Sequence, residues 1–113
     1  MATPLALPLI EHRDEIARLC LAHGVMRLEV FGSAADGRFD PGHSDFDFIV
    51  KFSPEVQDSI AHHYFALAEA LERLLEHRVD LMTDKPITNP YFRRAVDASR
   101  REIYVRAVAQ APA

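Results

Sequence analysis

Residues 45–52 read DFDFIVKF, and the alternation in that stretch decides the fold class. Successive side chains of a strand point to opposite faces. Phe46, Phe48, Val50 and Phe52 therefore share one face, and Asp45, Asp47, Ile49 and Lys51 share the other. The first face has no use except as part of a core. The second begins with two carboxylates about 6–7 Å apart, the rise of two strand residues, and such a pair repels itself unless a cation lies near it. The segment reads as a strand that is buried on one side and carries chemistry at the start of the other.

Working outward, MRLEVF at 26–31 sets Met26, Leu28 and Val30 against Arg27 and Glu29, a second half-buried strand that ends at Gly32. GSAADGRFDPGH at 32–43 is rich in Gly, Asp and Pro, and reads as a loop with one short helical turn after Ser33. Downstream, residues 53–77 predict a long helix: Ser53 caps it, Pro54 fits its first turn, and Ile60, Tyr64, Leu67, Leu71 and Leu74 form an apolar stripe. RVDLMT at 78–83 is a third strand, with Val79 and Leu81 on one face and Arg78, Asp80 and Met82 on the other.

At the amino-terminal end, residues 8–23 predict one helix carrying Leu9, Ile16, Leu19 and Cys20 and stopped by Gly24. Asn89-Pro90 opens a last helix to about residue 100, with Phe92 and Val96 as its buried positions. EIYV at 102–105 adds an edge strand, and 107–113 is expected to be a flexible tail. The order helix, strand, loop, strand, helix, strand, helix and final strand describes an α/β (α+β) protein, a mixed β-sheet flanked by helices, folded as a single domain over 1–113.

Composition sets bounds on function. With 49% apolar and 27% charged residues the chain is an ordinary globular one, and at 113 residues it has no room for a separate substrate-holding domain. A net charge of −4 excludes a surface built chiefly to neutralise nucleic-acid phosphates, but leaves room for a nucleotide held through metal ions. Cys20 is the sole cysteine, so no intramolecular disulfide forms, and no run approaches the ~20 apolar residues of a membrane span. The amino terminus MATPLALPLI lacks the basic region of a signal peptide. A cytoplasmic protein is expected. The six histidines show no zinc-ligand spacing. The arginines at 93, 94, 100, 101 and 106 read either as a docking face for an acidic partner or nucleic acid or, as the favoured reading, as a solvated face in which Asp97 lies four residues from Arg93 and from Arg101.

Three features carry chemistry, and from the residues alone each has two readings. Asp45 and Asp47 are either an exposed strand pair or a site for a hard divalent cation such as Mg²⁺. Asp80 is either an ion-pair partner of Arg78 or Arg93, or a third carboxylate at the same place. Gly32-Ser33 is either ordinary turn chemistry or a cradle for phosphate, in which Gly32 admits the phosphate to the backbone and Ser33 donates from its amide and hydroxyl. Ser44 orients Asp45 or closes the loop through its hydroxyl.

Taken together, Gly32-Ser33, eleven intervening residues, Asp45-Phe46-Asp47 and a later Asp80 on a strand resemble the signature of the DNA polymerase β nucleotidyltransferase superfamily, and in size the chain resembles the minimal nucleotidyltransferases (MNT). The resemblance runs over nearly the whole chain and is carried by VFGSAADG, SDFDFIV and VDLMT. It implies a polymerase β-like nucleotidyltransferase fold, with Asp45, Asp47 and Asp80 as catalytic residues holding two Mg²⁺ ions, and Gly32, Ser33 and Ser44 at the ATP phosphates. It further implies transfer of AMP from ATP to a tyrosine hydroxyl of a HEPN-type toxin, with the chain acting as antitoxin. The alternative is a non-catalytic module that neutralises a partner by occlusion. Transfer to RNA or to an aminoglycoside-like molecule ranks lower, because no basic groove or second domain is present. Two departures stand out: ten residues usually separate the Ser from the first Asp, and many members carry Arg where this chain has Asp36. The added loop residue is expected to leave the site intact, and Arg38 is the candidate to replace the missing arginine.

Overall fold

Four strands, Val25–Phe31 (β1), Phe46–Phe52 (β2), Val79–Thr83 (β3) and Arg101–Val105 (β4), form one sheet in the order β3-β2-β1-β4. The structure is a computed structural model that describes residues 5–106, so the tail expected over 107–113 lies outside the described residues. β1 runs antiparallel to both of its neighbours, whereas β2 and β3 run parallel. The sheet is therefore mixed, as expected. A parallel pair needs a crossover, which a tight turn cannot supply. Here a 3-10 segment, Pro54–Ser59, and the helix α4, Ile60–Leu75, supply it. The remaining helices are α1 (Leu7–Glu11), α2 (Arg13–Ala22), the single turn α3 (Ser33–Asp36) and α5 (Pro90–Ser99).

The apolar face of DFDFIVKF forms the centre of the main core. Phe46, Phe48, Val50 and Phe52 meet Leu28 and Val30 of β1 and Val79 and Leu81 of β3, and are covered by Ile16 and Cys20 of α2 and Leu67, Leu71 and Leu75 of α4. Each fully buried side chain of this size contributes ~1.5–3 kcal/mol. Tyr64, on the same stripe of α4, donates its hydroxyl proton to the Leu81 carbonyl and so ties the crossover to β3. Burial pushes the Cys20 thiol up to about 12, which makes it an unreactive core residue.

The opposite face holds a smaller cluster of Phe31, Ile49 and Val96, with Met82 and Ile87 packed on it. α5 covers this face, and that changes the reading of β1. Its alternation predicts a polar face at Arg27 and Glu29, yet Glu29 is buried. The Arg100 guanidinium, just past the end of α5, donates to it through Nη2 at 2.7 Å and Nε at 3.1 Å, and Arg27 Nε lies 3.5 Å away. Asp97 takes Arg93 at 3.7 Å, as expected, and also Arg100 at 3.1 Å.

Three expectations about helices are corrected. The helix expected over 8–23 breaks at His12, where φ is −104° and ψ is 18°, because the chain ahead of it is held elsewhere: the Ala6 amide donates to the Ala34 carbonyl of α3. The helix expected from Ser53 begins as the 3-10 segment, with Val56 at φ −104°. Its start is anchored to the head of β1: the Ser53 amide donates to Gly24 O at 2.8 Å, and Val56 packs so closely on Gly24 that a Cβ there would lie 2.5 Å from Val56 Cγ1. Phe92, expected to be buried, is 40% exposed. It meets the ring of Phe31, the last residue of β1, edge-on at 6.0 Å, where the sheet ends. Among the described residues no helix is long and apolar enough to cross a membrane.

The Glu29–Arg100 pair generates a stability prediction. Arg100→Met should leave a buried carboxylate with Arg27 as its remaining partner and cost about 2–3 kcal/mol in urea unfolding. Adding Glu29→Gln should return part of that loss, which a double-mutant cycle would read directly.

Candidate active site

Strand register assembles the site. Asp47 lies opposite Asp80 across the parallel β2–β3 pair and opposite Phe31 across the antiparallel β1–β2 pair. The residue after Phe31 is Gly32, which therefore leaves the sheet beside Asp47. Gly32 has φ +75°, and a Cβ on it would lie 2.9 Å from Asp47 Oδ2. Both the backbone conformation and the space demand glycine. The Gly32 carbonyl accepts from the amides of Ala35 at 3.0 Å and Asp36 at 3.1 Å, which starts α3 at Ser33. Its amide donates to Ser99 Oγ at the end of α5, at 2.8 Å.

The electrostatics follow from this crowding. The Asp47 carboxyl is pushed up to about 6, first by burial, then by the negative charges of Asp80 and Asp45 and by hydrogen bonding with Asp80. Asp45 and Asp47 are half-buried and Asp80 is exposed. Among the described residues no Lys or Arg pairs with any of the three. Arg93, one of the partners considered for Asp80, goes to Asp97. An oxygen-only donor set lacking a protein cation suits a hard divalent ion. Among the described residues no three His, Cys, Asp or Glu side chains form a ready-made metal cage, and Mg²⁺ in particular takes few protein ligands and keeps the rest of its shell as water and phosphate oxygen.

Ser33 is the first residue of α3 and is half-buried. Ser44 closes the loop that leads to β2: its Oγ accepts from the Asp40 amide at 2.9 Å, and its amide donates to Asp40 O at 2.7 Å. Asp40 also accepts from the Gly42 amide and pairs with His43 Nδ1 at 3.0 Å, so His43 is engaged within the loop. Phe39 lies on Phe46, with ring centroids 4.6 Å apart, and Pro41 O meets His77 Nε2 at 3.0 Å. The loop is thus folded on itself and anchored on Phe46 and His77. Asp36 is neutralised locally, since Arg38 donates to it through Nη2 at 2.6 Å, Nε at 3.0 Å and its amide at 3.1 Å. The Arg38 guanidinium is held by its neighbour two residues back.

Two groupings have no trace in local sequence. Ser99 is 67 residues from the Gly32 amide it holds, and a serine at a helix end carries no signal of such a role. His23 and His63, 40 residues apart, bring their Nδ1 atoms to 3.0 Å between α2 and α4. The His23 imidazole titrates below its ordinary range because of burial, then the charges of His63 and His62.

Comparison with known proteins agrees with this geometry. The profile of the nucleotidyltransferase domain family matches residues 9–103. A provisionally named protein adenylyltransferase of Methanocaldococcus jannaschii is 37% identical over 73 residues, which make up 65% of this chain and 71% of that one. A solved structure, described provisionally as a minimal nucleotidyltransferase, superposes with a TM-score of 0.65 at 32% identity, covering 82% of this chain and 90% of the other. A Shewanella oneidensis complex of a tri-AMPylated HEPN toxin with an MNT antitoxin superposes with a TM-score of 0.58 at 18% identity, over 87% of this chain and 73% of that one, and speaks for a shared fold.

The raised Asp47 carboxyl has a measurable consequence. A carboxyl whose folded-state value lies above its unfolded value binds its proton more tightly when folded, so stability falls as pH rises from about 4 to about 6 and stays reduced above that. Metal-free Asp47→Asn should therefore melt higher than the parent at pH 7.5, by about 4 °C for roughly 1 kcal/mol after allowance for solvent screening. The difference should shrink at pH 4.5.

Proposed function

The chain belongs to the nucleotidyltransferase domain family, and on that premise we propose that it is a Mg²⁺-dependent enzyme that transfers AMP from ATP to a hydroxyl of a partner protein, a tyrosine of a HEPN-type toxin, and thereby acts as its antitoxin. One observation carries this reading: Asp47 sits beside Asp80, with room at Gly32 only for a glycine beside the Asp47 carboxylate and, among the described residues, no Lys or Arg paired with either aspartate.

In this reading Asp45, Asp47 and Asp80 would hold two Mg²⁺ ions, which would supply positive charge to a phosphoryl displacement. The chain's own residues do the rest. Ser33 offers its amide and hydroxyl to the triphosphate at the start of α3, while Gly32 lets phosphate approach the backbone. Ser44 supports the phosphate end of the site by holding the loop into Asp45. Asp80, the exposed member of the three, receives the proton of the acceptor hydroxyl. The acceptor oxygen forms a bond to the α-phosphorus, the bond from that phosphorus to the bridging oxygen breaks, and pyrophosphate leaves.

The acceptor in this reading belongs to a separate protein: Asp80 is open to solvent, so a hydroxyl on another molecule can reach it. The similarity to an antitoxin solved with its AMP-modified HEPN toxin supports a partner of that class, and the name of the archaeal relative supports protein as the acceptor.

Incubation of the purified protein with the product of the neighbouring gene, Mg²⁺ and α-labelled ATP should place label on that partner. Asp45→Ala and Asp47→Ala should each lower the rate by at least ~100-fold, and EDTA should abolish it. Equal labelling by the carboxylate variants would sink the mechanism. Neutralisation of the partner by those variants with no labelling by the parent protein would establish occlusion instead.

A further inference from the structure

Resting on that reading of the turn, we propose that Ser99 is a positioning residue for the nucleotide site: its hydroxyl fixes the Gly32 peptide beneath Asp47 and so couples the phosphate-binding turn to α5. Glycine at positive φ is free to leave that conformation at little cost, so the geometry of the turn has to be imposed by its surroundings. Three features of those surroundings bear on it. The Gly32 carbonyl is held by the Ala35 and Asp36 amides, the place a Cβ would take lies 2.9 Å from Asp47 Oδ2, and the Gly32 amide donates to Ser99 Oγ at 2.8 Å. The first comes from the turn itself, and the second is the space that a Cβ on Gly32 would need, taken by Asp47 of the neighbouring strand. The third comes from a different element.

Ser99 suits the task. Its own hydroxyl proton goes to the Ala95 carbonyl at 3.2 Å, which leaves an oxygen lone pair aimed at Gly32. The last turn of α5 is held on both sides of it: Val96 is fully buried in the smaller cluster, and Arg100 grips Glu29 of β1. The acceptor is therefore mounted on a rigid support, as a positioning group must be. Phe92 and Tyr91, both exposed at the other end of α5, lie on the same helix, so anything that shifts α5 also shifts the Gly32 amide.

The test needs two readouts. In Ser99→Ala, a substitution that favours the helix itself, hydrogen exchange of the Gly32 amide followed by NMR should speed up by about 10-fold, the value of one hydrogen bond near the top of its range. KM for ATP in the labelling assay should rise about 3- to 10-fold, with a smaller change in kcat. Ser99→Thr, which keeps the hydroxyl, should restore both. Asn89→Ala removes the cap at the far end of α5; it should lower Tm while leaving Gly32 exchange and KM for ATP at parent values. Unchanged Gly32 exchange in Ser99→Ala would overturn the proposal, as would failure of Ser99→Thr to restore it. Faster exchange with KM unaltered would also overturn it, because the bond would then serve stability alone. The exchange measurement uses no nucleotide, so a parent protein that transfers nothing removes the enzymatic reading and still leaves the Gly32–Ser99 coupling decided.

Discussion

The parallel pairing of β2 with β3 is the constraint on which the molecule depends. In that register Phe46 pairs with Val79, Asp47 with Asp80 and Phe48 with Leu81. Because side chains alternate between faces, one register places apolar partners into the main core and carboxylates onto the other face together. A slip by one residue would expose the phenylalanines and bury the aspartates. The hydrophobic requirement thus enforces the meeting of two like charges that electrostatics alone would separate. The crossover through α4 is what permits it, and the Tyr64 hydroxyl bonded to Leu81 O locks the crossover onto the strand it delivers.

The sheet divides its work between its faces. One face is filled by phenylalanines, leucines and valines under α2 and α4. The other is covered only in part, by α5, whose Val96 packs over Ile49 and Phe31, and its uncovered end holds Asp47 and Asp80. Burial and the neighbouring carboxylates raise the Asp47 carboxyl to about 6, a local destabilisation that packing elsewhere has to offset. α5 also links the two regions, since Arg100 reaches Glu29 while its neighbour Ser99 reaches Gly32.

The departures from the family pattern have local solutions. Asp36 reverses a charge, but Arg38 lies within reach on the same turn and cancels it. The longer loop before Asp45 is knotted around Asp40, which accepts from Gly42 and pairs with His43 while its backbone bonds Ser44. Short polar residues that close turns on themselves make such insertions inexpensive.

Much of this could be read from the chain. Strict alternation in DFDFIVKF and VDLMT gave the strands and the face of Phe46, Phe48, Val50 and Phe52 correctly, because a period of two is a local property, but it left Ile49 on the face read as open, where the structure buries it in the second cluster. Gly32 after an apolar run marked a turn, and the structure supplies the reason in the Asp47 oxygen that a Cβ would meet. What local pattern could not reach were effects imposed by segments distant in sequence. Glu29 alternates as a solvent-facing residue and is buried because α5 covers it. The first helix breaks at His12 because Ala6 is bonded to Ala34. Ser99 meets Gly32 across 67 residues. The sequence by itself determined which residues form strands, which faces are apolar and which side chains carry charge, since each rests on backbone geometry over a few residues. Only the tertiary structure decided which carboxylates meet, what shields Glu29 and what holds Gly32, since those depend on register and packing between elements that the chain order leaves far apart.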